Sequence, residues 1–110
     1  MNMAWTVEFL NDDVREELNA LPRDMRAKFE HIVTLITEFG LERIHEPYIK
    51  HIEGKLWEMR MKGRDGISRA LYVSAFEQRV IIVRAFVKKT QKTPRREIEL
   101  ALSRAKEIEQ

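Results

Sequence analysis

The chain of 110 residues contains no cysteine. Disulfides, thiolate nucleophiles and cysteine-ligated zinc are therefore excluded together. A reducing compartment, the cytoplasm, fits that absence. Long apolar runs are missing too, since no stretch approaches the roughly 20 residues a membrane-crossing helix needs. Met1 to Leu10 has no basic leader and holds Glu8 inside its apolar run, so it does not read as a signal peptide. Motifs that betray catalysis by local spacing are also lacking: no nucleophile elbow, no phosphate-binding glycine loop, no zinc spacing. His31 falls within a helical pattern and reads as a surface or boundary residue. His45 and His51 flank Pro47 at a spacing that suits no metal motif. Either could still act as a general base. No metal and no cofactor is expected.

What is present suits a single domain over 1–110. Hydrophobic residues make up 44% of the chain, enough for a core, and charged residues 35%. The net charge of +2 conceals a division. Residues 1–53 hold 6 Lys/Arg against 11 Asp/Glu, a net of −5, and residues 54–110 hold 14 against 7, a net of +7. A positive half favours an anionic partner such as RNA, because association releases counterions. A solvated surface with an incidental bias would show the same numbers.

Ala4 to Phe9, rich in aromatic and β-branched residues, reads as a strand. Asn11 is placed to cap a helix, with Asp12 and Asp13 in its first turn and Val14, Leu18 and Leu21 on one face. Pro22 interrupts that helix and opens another to Phe39, whose apolar stripe is Met25, Phe29, Ile32, Ile36 and Phe39. Gly40 ends it. Leu41 to Glu53, with Pro47 and mixed polarity, suggests a loop or a short edge segment. Lys55 to Met61 then alternates, Trp57, Met59 and Met61 against Glu58 and Arg60. Ile67 to Ala75 follows, with Ile67, Arg69, Leu71 and Val73 on one face. After a turn near Glu77–Gln78, Val80 to Val87 is apolar enough for a central strand. Thr93 and Pro94 should cap a last helix with Ile98, Ala101, Leu102, Ala105 and Ile108 inward. The fold class expected is α+β: N-terminal strand, helical hairpin, three-stranded antiparallel meander and C-terminal helix. The helices should cover one face and leave the other partly open.

The open face is where chemistry is expected. Glu58, Arg60, Arg69 and Arg84 lie on the strands, and Lys88, Lys89 and Lys92 follow. Arg84 interrupts an apolar run, so it should face an open surface or a carboxylate. Cross-strand ion pairing would also account for such residues. If the cations converge, they can grip a phosphate backbone and stabilise charge on a pentavalent phosphorus. RNA cleavage by its own 2′-hydroxyl needs no metal, only a base, an acid and cations. Glu58, Arg60, Arg69 and Arg84 are the candidate catalytic residues; Lys55, Lys88, Lys89 and Lys92 are the candidate RNA-binding residues.

Leu56-Trp57-Glu58-Met59-Arg60, Gly66 to Tyr72, Ala85 to Pro94 and Glu97 to Ala101 together resemble the RelE/ParE toxin superfamily, in particular its phage-derived, HigB-like branch. The resemblance implies a type II toxin–antitoxin toxin, probed most naturally as a ribosome-dependent mRNA endonuclease (an mRNA interferase) that inhibits translation. It implies the ribosome, mRNA and a cognate helix-turn-helix antitoxin as partners, no membrane, and operator DNA only through the antitoxin complex. Arg60 matches the arginine ending one strand motif, and Arg69 an arginine at a common catalytic position. Lys88, Lys89 and Lys92 match the branch's basic string. Many relatives carry a tyrosine or histidine near the C-terminus, whereas this chain has neither after Tyr72, and Glu58 stands where some have lysine. Phe86 could stack on a base or sit in the core. A ParE-like gyrase inhibitor and an inactive, prophage-derived antitoxin-binding module are the alternatives.

Overall fold

In the computed structural model, which describes residues 4–89 and 91–108, the helices begin and end where their terminal residues dictate. Strand β1 (Thr6–Phe9) leads to Asn11, whose Oδ1 accepts the Val14 N–H at 3.0 Å and opens α1 (Asp12–Asn19). That bond satisfies one of the free donors of the first turn. Pro22 precedes α2 (Arg23–Phe39), which ends at Gly40 with φ 91°, a conformation that side-chain-bearing residues avoid. A 3-10 turn (Leu41–Arg43) follows. Four strands come next: β2 (Ile49–Glu53), β3 (Leu56–Gly63), β4 (Gly66–Ala75) and β5 (Arg79–Lys88). Helix α3 (Arg95–Ala105) closes the order.

The sheet runs β1-β5-β4-β3-β2. β1 is parallel to β5, and the other pairs are antiparallel. The expected three-stranded meander is thus four-stranded, because β2 adds to the edge of β3. The expected alternation holds. Met59, Met61, Ala70, Tyr72, Val80 and Ile82 pack under α1 and α2, with Val14, Leu18, Met25, Phe29, Ile32 and Ile36. Leu56, Leu71, Val73, Ile81, Val83 and Phe86 pack on the other face under Ile98 and Ala101 of α3.

Helices therefore cover both faces, which corrects the expectation of one covered face. The reason is in β4 and β5, where Val80 to Val83 are buried on each side of the strand and must be shielded from water on both. Phe86, 9% exposed, belongs to the α3-side core. A register shift puts Arg84 opposite Leu71 while Tyr72 faces Ile82, leaving Val83 as the extra residue. β1 pairs with β5 only as far as Ile82. Beyond it, Glu17 Oε1 accepts the Ala85 N–H at 3.2 Å, and Arg104 Nη1 donates to the Val83 carbonyl at 2.9 Å.

α3 shields only part of its face. It lies over Leu71, Val83 and Phe86, and the ends of β3, β4 and β5 nearest Lys62, Ile67 and Lys88 extend beyond the cores. Among the described residues no helix is long and apolar enough to cross a membrane.

Candidate functional site

The antiparallel register assembles a charged cluster on the α3 side of the sheet. Lys50 of β2 stands opposite Glu58 of β3, and Arg60 of β3 stands opposite Arg69 of β4. Like charges directly opposite repel, so the two arginines need an anion near them. Glu58 supplies it. Its Oε2 lies 3.4 Å from Arg69 Nε and 3.9 Å from Arg60 Nε. Its Oε1 accepts a hydrogen bond from the Thr93 hydroxyl at 2.8 Å. Lys88, at the end of β5 and opposite Ile67, completes the group.

Arg69 is the unusual member. It is 2% exposed, yet its Nε and Nη1 have no hydrogen-bond partner among the described residues. Burial pulls the Arg69 pKa below its ordinary value; Glu58 opposes that shift and Arg60 adds to it. The guanidinium stays charged, because arginine ordinarily holds its proton far above neutrality. Burial also lowers the Lys88 pKa, with Arg69, Arg60 and Lys50 repelling its charge and Glu58 offsetting part of this. One carboxylate thus faces four cations, Lys50, Arg60, Arg69 and Lys88. The surplus is positive, and Arg69 Nη1 has no acceptor among the described residues, while Nε is held by the ion pair with Glu58. Such a site suits an oxyanion better than a neutral ligand.

The other residues proposed from the sequence lie elsewhere. Arg84 does not join the cluster. Its Nε and Nη2 donate to Glu97 at 2.7 and 3.1 Å, and its Nη1 lies 3.1 Å from Glu17 Oε2. Arg104 donates to the same Glu17 carboxylate at 3.0 and 2.8 Å. Arg84 thereby ties α1, β5 and α3 together, the carboxylate-paired outcome that an arginine in an apolar strand requires. Lys55 occupies the exposed β2–β3 turn, at the opposite end of β3 from Lys62. Lys89 and Lys92 are exposed in the connector before α3, and Thr90 between them lies outside the described residues. His31, His45 and His51 are exposed, and His51 Nε2 lies 2.8 Å from the Gly54 carbonyl.

Two members of the cluster were not anticipated. Lys50 fell in a segment read as loop or edge, and only pairing with β3 places it beside Glu58. Thr93 was expected to cap α3, but Pro94 occupies the cap position and the Thr93 hydroxyl turns to Glu58 instead. No local signal marks either role.

Comparison with known proteins agrees with this architecture. The family described as "Phage derived protein Gp49-like" matches residues 16–106. No curated protein matches the chain. Among solved structures, the chain is similar to an arginine-to-alanine mutant of the Escherichia coli toxin RelE in its free state, with a TM-score of 0.63 and 16% identity over 93% of this chain and 98% of that one. It is also similar to a chain of the archaeal RelE–RelB complex from Pyrococcus horikoshii, with a TM-score of 0.56 and 20% identity over 79% of this chain and 98% of that one.

Proposed function

The chain belongs to the phage-derived Gp49-like family and has a RelE-like fold, and from that premise we propose that it is the toxin of a type II toxin–antitoxin pair that cleaves mRNA on the ribosome. The observation that supports this reading best is Arg69, buried in a cluster of cations with its Nε ion-paired to Glu58 and its Nη1 without a hydrogen bond among the described residues. A scissile phosphate offers the acceptor that Nη1 lacks. In the proposed reaction the RNA 2′-hydroxyl attacks the adjacent phosphorus. Glu58 takes the hydroxyl proton once Thr93 has released its Oε1. Arg60 and Arg69 stabilise the added charge on the pentavalent phosphorus. The bond to the 5′-oxygen breaks, and Lys88 gives that oxygen a proton. The products are a 2′,3′-cyclic phosphate and a 5′-hydroxyl. Lys88 suits the acid role better than an arginine does, because its lowered pKa brings it nearer the working pH. This step requires no metal.

Lys89 and Lys92 would grip the flanking backbone, and Lys55, distant along β3, would contact RNA only outside the cut site. Arg84 has no part in this chemistry, its guanidinium being engaged by Glu17 and Glu97. One structural relative is a RelE–RelB complex, and on that analogy we propose an antitoxin partner; its helix-turn-helix type is proposed on the family resemblance of the sequence alone. Operator DNA would be bound through that complex. Ribosome-bound message places the activity in the cytoplasm.

The test is a purified translation reaction. The protein should leave cuts within ribosome-bound message ending in cyclic phosphate. Lys88→Ala, on a partly exposed side chain, should slow cleavage by about two orders of magnitude, the usual scale for losing a general acid. Arg69→Ala should abolish it, with circular dichroism checking the fold. Intact message during growth arrest would sink the nuclease reading, and loss of DNA supercoiling by gyrase in the same samples would select a ParE-like inhibitor.

A further inference from the structure

The sheet face opposite Glu58 holds a cleft of about 860 Å³ beside the 3-10 turn. Its origin is the path of α2. That helix starts where Met25 packs against Gly63 and ends where Gly40 meets Trp5, so it leaves part of β2, β3 and β4 uncovered. Ile44, Ile49 and Trp57 form apolar walls. Trp57 shares the face of Met59 and Met61 but remains 37% exposed, since α2 does not reach it.

Two polar groups in the wall have no partner among the described residues: the Tyr72 hydroxyl, on a side chain 1% exposed, and the Trp5 indole N–H. An unpaired buried donor costs free energy that a bound acceptor recovers. The indole N–H can only donate. Burial pushes the Tyr72 pKa well above the ordinary phenol value, so that hydroxyl keeps its proton and can donate as well. The ionisable residues around the cleft are Glu42, Glu46 and Lys50, with His45 and His51. The two carboxylates, Glu42 and Glu46, outnumber the lysine, so the cleft holds no cation cluster that would draw an anion. Two donors, flat aromatic walls and no positive surplus together define the ligand.

We propose that this cleft binds an uncharged, flat heteroaromatic ring bearing carbonyl acceptors, as a nucleobase does, with Tyr72 and Trp5 as hydrogen-bond donors and Trp57 as the stacking wall. The cleft opens on the face of the sheet away from Glu58, and Lys50 of the edge strand β2 is the residue it shares with the cation cluster.

Both tryptophans of the chain line the cleft, so tryptophan signals report on it directly. Titration of the full chain with uridine should give a saturable change in fluorescence and shift the Trp5 indole N–H resonance. Tyr72→Phe should weaken uridine binding about tenfold, as expected for one lost hydrogen bond of about 1.4 kcal/mol. Trp5→Phe should weaken it similarly and serves if the first variant does not fold. Uridine monophosphate should bind no tighter than uridine. Absence of any shift at saturating uridine would overturn the proposal. So would uridine affinity unchanged in both variants, or toluene producing the same indole N–H shift as uridine.

Discussion

At the scale of single residues, Glu58 and Arg69 are each 2% exposed and lie 3.4 Å apart, so neither charge is solvated by bulk water. A buried charge that loses its counter-ion is far costlier than a buried pair replaced by apolar groups. Glu58→Gln should therefore destabilise the protein by about 3 kcal/mol, because Arg69, Arg60 and Lys88 then repel without an anion. Adding Arg69→Met should recover much of that loss. Urea unfolding of both single variants and the double variant measures the coupling, and simple addition of the two losses would contradict it. Alternation along Leu56 to Met61 put Glu58 and Arg60 on one face of their strand, and alternation along Ile67 to Val73 grouped Arg69 with Ile67, Leu71 and Val73, but only the pairing of β3 with β4 brings the three together. Lys50 and Thr93 were illegible because each reaches Glu58 through pairing or a loop path that no local pattern encodes. Arg84 was visible as an anomaly, but not its partners. Glu17 is 67 residues earlier in the chain, and the network through which it is held forms only when α1, β5 and α3 meet.

At the scale of elements, that network is the clamp on α3. Burial alone would raise the Glu17 pKa, but hydrogen bonds from Arg104 and the Ala85 N–H, with the charge of Arg84, outweigh it and hold the carboxyl below its ordinary value of 4.5. A depressed carboxyl contributes its stability above the unfolded-state pKa and loses it as pH falls through the folded-state value. The clamp should thus be complete above about pH 5 and weaken in acid. Urea midpoints followed from neutral to acid pH should fall more steeply for the wild type than for Glu17→Gln, and parallel slopes would count against it. Other carboxylates with lowered pKa, Glu8 and Glu53, contribute equally to both proteins and cancel in the difference. The helices were readable because caps and apolar stripes are local: Asn11, Gly40 and the Met25–Ile36 stripe lie where the sequence puts them. β2 was not, because only Ile49 of its residues is fully buried and its place is set by β3.

At the scale of the whole molecule, charge and topology act together. The acidic first half supplies Glu17 and the helical layer, whereas the basic second half supplies β3, β4, β5 and the connector. Lys50 is the exception, carried from the acidic half to the cation cluster by the edge strand. Binding of single-stranded RNA should weaken linearly on a log–log plot against salt, with about 0.7 of slope per phosphate neutralised. Lys88→Ala and Lys89→Ala should each reduce that slope by about 0.7, while Lys55→Ala should leave it nearly unchanged on an RNA too short to reach the β2–β3 turn. Fluorescence anisotropy over a salt series reads this, and equal slopes for all variants would remove the cluster as the RNA-binding face. The order of elements was legible except for β2, and the alternation was legible in β3 and β4. The two-sided cover was not, since it depends on which way the chain turns after β5.

The Glu17 carboxylate and the Arg104 guanidinium also occupy the main-chain groups of Ala85 and Val83 that β1 leaves open on the outer edge of β5. Those are the groups through which a strand from a second molecule would extend the sheet, chain after chain, into a filament. The same two side chains that seat α3 therefore close this stretch of β5 to a second strand, so that docking the helix and sealing this part of the edge are a single event.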